Sequence, residues 1–126
     1  MNSVKDVIQF GLTEASGLVL GRIEELSLFK DQMEIAKFAL AYAIRLGIKP
    51  GTVTGGGNKW HTAGFDPGGE IANAVCIVFP ETETPYRAIE SLMNSGLILL
   101  GEEMDKKGTL DLLSLTAPWV AVAPES

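Results

Sequence analysis

The sequence predicts a mainly α fold: an N-terminal strand plus two helices, a glycine-rich loop, and two or three C-terminal helices. Three observations carry that reading. Residues 38–44 run Phe-Ala-Leu-Ala-Tyr-Ala-Ile, with no charge on any helical face. Residues 47–69 hold eight of the fourteen glycines, which sets an N-terminal half apart from a C-terminal half. Thr84-Pro85 stands before an apolar repeat at helical spacing, with proline suited to the first helical position. The parts are then 1–49, 50–69 and 70–126, and a chain of 126 residues combines them in one compact domain.

The elements follow in order. In residues 4–12, Ile8, Phe10 and Leu12 share one face of an extended strand, and Val7, Gln9 and Gly11 share the other. No second convincing strand follows nearby, so pairing with the same strand of another copy is the expected way to satisfy its backbone. Thr13 is the expected N-cap of a helix over about 14–26, with Val19, Ile23 and Leu26 on its buried stripe. Gly17 and Gly21 suit a place where another backbone packs close, or mark a weak helix. Asp31 with Glu34 forms a capping-box pattern for a second helix over about 32–46. That helix is apolar on every side from Phe38 to Ile44, and a domain this small is expected to bury it only with a second copy.

Residues 70–79 allow two readings. Val75 to Val78 favour a strand, whereas Ile71, Ala74, Val75 and Val78 at i, i+3, i+4 and i+7 favour a helix, and the helix is preferred. Asp66 is placed to cap it. From Thr84-Pro85 a helix reaches about Met104 along Tyr86, Ile89, Met93 and Leu97, with Asn94-Ser95-Gly96 as a potential break. A short last helix is expected over 110–115, and a tail from Pro118.

Composition narrows the function classes. With 46% hydrophobic and 21% charged residues, the chain is globular. No apolar run approaches the roughly 18–20 residues of a membrane span. The first six residues lack the cationic and apolar regions of a signal peptide, so none is expected. The lone Cys76 cannot form an internal disulfide, and with His61 the only histidine an ordinary zinc site is excluded. A cytoplasmic protein with no cofactor or metal is the expectation. The net charge of −6 is unevenly spread: residues 1–50 are neutral, 51–79 carry −1 and 80–126 carry −5. The acidic last third is thus expected to be solvated or to face a protein partner, and the neutral first third leaves weak DNA contact open.

A strand, then Thr-Glu, a helix, a short turn and a more apolar second helix resembles the ribbon-helix-helix (MetJ/Arc-like) family over residues 4–47. Among its variants the stretch looks most like the DndE-like one, a small helical accessory of bacterial DNA phosphorothioation. No family resemblance extends over residues 50–126. The resemblance implies a homodimer whose paired strands enter the major groove. It implies base or phosphate contacts from Lys5, Val7 and Gln9, and phosphate contacts around Lys30 and Gln32. It implies a dimer interface of Ile8, Phe10, Leu12, Phe38 and Tyr42. The sequence departs from the family pattern at Gly11, at Asp6 beside the ribbon, and at Glu14, Glu24 and Glu25, which do not suit phosphate.

Other candidate chemistry is sparse. Thr54-Gly-Gly-Gly-Asn-Lys is glycine-rich but lacks the phosphate-loop spacing, so it reads as a linker. If nucleic acid binds, Asn58, Lys59 and Trp60 are supplementary contacts by stacking and charge. His61 beside Trp60 could contact a small molecule or act as a base, against the plainer reading of a loop histidine with Trp60 as an anchor. Asp66 and Glu70 read as solvated carboxylates, and Cys76 as a small buried hydrophobe. No catalytic residue is nominated. The leading expectation is a non-catalytic, homo-oligomeric DNA-associated or regulatory accessory protein. The alternatives are a protein–protein interaction module of the same fold without DNA binding, and a small-molecule binder using the Trp60–His61 loop.

Overall fold

The computed structural model describes residues 5–53, 57–112 and 115. The chain is mainly helical, with a small antiparallel sheet. Its order is β1 (Gln9–Leu12), α1 (Glu14–Glu24), α2 (Gln32–Arg45), β2 (Gly57–His61), α3 (Thr62–Phe65), α4 (Glu70–Val78) and α5 (Pro85–Lys107). Of the short helix expected over 110–115, the described residues include one helical bond, from the Leu115 N–H to the Asp111 carbonyl. Leu112 and Leu115 are helical, and residues 113–114 and the tail from Pro118 lie outside the described residues.

Helix α5 is the axis of the core. Ile89, Leu92, Met93, Leu97 and Leu100 are fully buried on it, and it packs against α1, α2, α4 and β1. The sequence expects a helix to about Met104 with Asn94-Ser95-Gly96 as a potential break, and α5 runs unbroken through it. Gly96 is there because α2 crosses at backbone distance: a Cβ at Gly96 would lie 2.6 Å from the Ala39 carbonyl carbon and 3.2 Å from its Cα. At Gly101 a Cβ would meet Val19 Cγ2 at 2.8 Å, so α1 sits almost as close. Ile35, Ala36, Ala39 and Ala43 of α2 are thereby buried within one chain. The argument that α2 needs a second copy for its burial is corrected by α5.

The strand pairing is corrected as well. β1 pairs with β2 of the same chain, in the register Gln9 with His61, Phe10 with Trp60, Gly11 with Asn58 and Leu12 with Gly57. The residues read as a loop thus contain a strand at 57–61, which glycine and asparagine conceal from propensity. The expected Ile8–Phe10–Leu12 face is not kept: Phe10 and Leu12 are buried, but Ile8 is 73% exposed and Val7 packs toward the core. Gly11 is buried beside them.

Helix starts are set by carboxylates and hydroxyls, some from far along the chain. Thr13 and Asp31 cap α1 and α2 as the sequence implies, accepting from the Ser16 and Glu34 N–H groups. Thr84, the expected cap of α5, makes no such bond. Asp6 does it instead, accepting from the Tyr86 and Arg87 N–H groups, both at 2.8 Å. Residues 70–78 are helix, and Asp66 caps them, accepting from Ile71 and Ala72 at 2.9 and 3.0 Å. The stripe that α4 buries is centred on Ala72 and Val75; Ala74 and Val78, expected on it, face outward.

Asp66 is 4% exposed and also accepts from the Tyr86 hydroxyl at 3.0 Å. Burial pushes its carboxyl up, but the Ile71, Ala72 and Tyr86 hydrogen bonds and the Lys37 charge outweigh this and hold it below the ordinary value of 3.8. Burial first, then the hydrogen bond to Asp66 and the charges of Asp66 and Asp6, push Tyr86 up.

Two outcomes are expected. In urea denaturation Gly96→Ala loses roughly 2–3 kcal/mol through overpacking, whereas Gly17→Ala, with nothing within 4 Å of the new Cβ, gains about 0.5–1 kcal/mol; equal effects would contradict the close crossing. The stability that Asp66 contributes is present above its unfolded pKa and is lost as pH falls through its lower folded value. An acid titration of stability is therefore expected to be flatter in Asp66→Asn than in the parent.

Candidate functional site

The β1–β2 ribbon is held from beneath by stacked aromatics. Trp60 leans on Phe65 at 5.7 Å between ring centroids, Phe65 meets Phe10 edge-on at 4.9 Å, and Phe10 meets Tyr86 at 5.9 Å. Phe10 and Phe65 are fully buried, so the strand is fixed to the core by its own side chain. Trp60 is half-buried, which agrees with its reading as an anchor for the loop.

The second edge of β1 meets helix side chains. Glu90 Oε2 accepts from the Gly11 N–H at 2.7 Å, and Asn94 Oδ1 accepts from the Thr13 N–H at 2.9 Å. Asn94 Nδ2 donates to the Gly11 carbonyl at 3.0 Å and to the Glu90 carbonyl at 2.8 Å. Two side chains one helical turn apart thus occupy the position of a neighbouring strand. Sequence reasoning missed Asn94 and Glu90. The available signal was a polar residue facing inward on an otherwise apolar helical stripe, which was read as a break.

The ribbon's register skips one residue of β2 between Phe10 and Gly11. The skipped residue is Lys59, and such a bulge re-aims a side chain. Lys59 Nζ lies 5.4 Å from the Trp60 ring centroid, and Lys37 Nζ lies 5.2 Å from that of Phe65. Across the strands, Gln9 Nε2 and His61 Nε2 are 3.5 Å apart in an exposed pair.

Three open clefts border the ribbon. One of about 300 Å³ is lined by Leu12, Thr13, Gly17, Leu20, Gly21, Gln32, Gly57, Asn58 and Lys59. A second of about 430 Å³ lies beside Trp60, among Glu24, Asp31, Gln32 and Met33. A third of about 390 Å³ joins Asp6, Val7, Ile8 and Gln9 to Asn58. Gln32 and Asn58 each border two of these clefts. Gly17 and Gly21 therefore do not mark a close backbone contact; they are bare, and they floor the first cleft.

The fold thus brings Val7, Gln9, Gln32, Asn58, Lys59 and Trp60 around one ribbon. It leaves two nominated residues apart. Lys5 is exposed, its carbonyl accepting from Arg87 Nη2 at 3.4 Å, and Lys30 lies in a separate small cleft with Asp31, Met33, Glu34 and Lys37. Of the nominated interface residues, Phe10 and Leu12 are buried in the chain's own core and Tyr42 is 8% exposed. Phe38 is half-buried, stacked on Tyr42 at 6.4 Å and tilted toward Phe29 at 5.3 Å. Ile8 is the one of the five with most of its surface free.

The ribbon's charge is mixed, with Lys59 and Lys37 near Asp6, Glu24 and Asp31. No group of three His, Cys, Asp or Glu side chains among the described residues is arranged to hold a metal. No described helix is long and apolar enough to cross a membrane.

The edge arrangement is checked by amide hydrogen exchange. Gly11 and Thr13 are expected to be protected in the parent; Glu90→Ala is expected to expose Gly11, and Asn94→Ala to expose Thr13. Unchanged protection in both variants would contradict the assignment.

Compared with protein-family models, curated proteins and solved structures, the chain matches none.

Proposed function

We propose that this chain is a non-catalytic, homo-oligomeric DNA-associated or regulatory accessory protein that docks through the β1–β2 ribbon and the clefts beside it. One observation carries the reading: Gln9, Gln32 and the run Asn58-Lys59-Trp60, three separate stretches of sequence, border adjoining clefts on that ribbon. Amide side chains offer paired donor and acceptor groups to base edges. Trp60 offers a surface for stacking, and Lys59 a phosphate contact. In the ribbon-helix-helix resemblance two copies supply the ribbon; in this proposal one chain supplies both strands. Self-association then runs through surface that the single chain leaves uncovered, such as Leu18 on α1, 67% exposed, and half-buried Phe38 on α2. A cytoplasmic setting belongs to the same proposal.

The charge sets the strength. With two or three cations per subunit near the ribbon, few counterions are released on binding, and affinity is modest. The second reading, a protein-interaction module without DNA binding, is favoured by the acids beside the ribbon, Asp6, Glu24 and Asp31.

Filter binding to single- and double-stranded DNA over a range of salt tests the proposal. The expected plot of log affinity against log salt has a slope of roughly −2 to −3 for each subunit engaged, and Lys59→Ala makes it shallower by about one per subunit. Trp60→Ala is expected to weaken single-strand binding by about 1–3 kcal/mol. Absence of binding at low salt would overturn the DNA reading and leave the interaction module.

A further inference from the structure

Helix α4 carries apolar surface that the rest of the described chain does not cover. Its inner side, at Ala72 and Val75, is buried against α5. Its outer side is the stripe Asn73, Ala74, Ile77 and Val78, at i, i+1, i+4 and i+5. Ile77 is 80% exposed and Val78 49%. From Ile71 to Pro80 there is no charged residue. An exposed isoleucine beside an exposed valine on a charge-free helical stripe makes contiguous apolar surface, the feature that interaction sites use.

The rim says what kind of partner fits. Residues 60–86 contain Asp66, Glu70, Glu81 and Glu83, and no lysine or arginine. Asp66 is buried in its capping role, but Glu70, Glu81 and Glu83 are exposed at the two ends of α4. Among the described residues none of the three has an ion-pair partner. An antiparallel second copy would set Glu70 against Glu81 and Glu83 of its mate, like charge on like. An anionic lipid surface would be repelled by the same groups. A helix with an apolar face bordered by lysine or arginine meets both requirements, in the groove-and-helix mode of peptide recognition. The platform is rigid at its start, because Asp66 holds the first turn of α4 and Tyr86 ties Asp66 to α5.

We propose that the outer face of α4, centred on Ile77 and Val78 and rimmed by Glu70, Glu81 and Glu83, docks a cationic amphipathic helix of another protein. This surface is independent of the ribbon, and the proposal does not rest on DNA binding.

The test uses the full chain and a synthetic helical peptide of leucine, alanine and lysine, with one apolar face and a lysine rim. A matched peptide carries glutamate in place of lysine. Fluorescence anisotropy reads binding, and nuclear magnetic resonance shifts locate it. The lysine peptide is expected to bind and to shift α4 resonances. Ile77→Ser is expected to weaken it at least tenfold, and Glu81→Gln with Glu83→Gln at least threefold, the latter loss vanishing at high salt. Because Ile77 is mostly exposed, circular dichroism of Ile77→Ser is expected to match the parent. Should that variant unfold, the Glu81 and Glu83 variants and the shift map carry the test alone. Equal binding of the glutamate peptide, or shifts confined to other elements, would overturn the proposal. So would a dimer that Ile77→Ser dissolves, binding to neutral phosphatidylcholine vesicles that Ile77→Ser abolishes, or Overhauser contacts from residues 116–126 onto the Ile77 methyls. Those results would assign the face to a second copy, to a lipid surface or to the chain's own last residues.

Discussion

At the Gly96 crossing, two helix backbones meet with no side chain between them. A small chain has little apolar volume to spend on separating its helices. Bringing α2 onto α5 at Ala39, and α1 onto α5 at Gly101, turns three helices into one core with short distances. Everything else is positioned from that core. α5 presents Glu90 and Asn94 to β1, and its first turn receives the Asp6 carboxylate. The helix therefore acts both as core and as scaffold for the sheet.

The sheet would be marginal alone. Two short strands do not hold together in water without further support. Here one strand edge meets β2, the other meets side chains of α5, and Phe10 anchors one face among Phe65 and Tyr86. The nominated contacts Asn58, Lys59 and Trp60 fall on β2 and its bulge, and β1 contributes Gln9 at its start.

Helical segments were legible because they announce themselves locally. Thr13 and Asp31 mark starts through bonds within one turn, Pro85 marks one through its fixed φ at the first helical position, and apolar spacing gives their inner faces. The ribbon was less legible. β2 is Gly-Asn-Lys-Trp-His, and its pairing depends on residues some fifty positions away, at Gln9 for His61. The role of Asn94 is hidden for the same reason: an asparagine in a helix looks like a potential break until its distant partners, Gly11 and Thr13, are known. Gly17 and Gly96 look alike in sequence, yet one floors an open cleft and the other receives a carbonyl. Only the packing partner distinguishes them. The candidate site was therefore named residue by residue, but its assembly around a single-chain ribbon was not foreseeable from local pattern.

The Asp6 cap spans 80 and 81 positions, to Tyr86 and Arg87. In a chain made from its N-terminal end, the Asp6 carboxylate is made well before the Tyr86 and Arg87 N–H groups that it accepts from. Such distant pairings raise the contact order and slow the final assembly. The bonds within α1 and α2 are local, whereas β1 needs β2 for one edge and α5 for the other. Until Glu90 and Asn94 are in place, the second edge of β1 offers unpaired backbone groups of the kind that invite strands to associate. In the folded chain Glu90 and Asn94 close that strand's second edge, so the helix that finishes the core also ends the period of exposure.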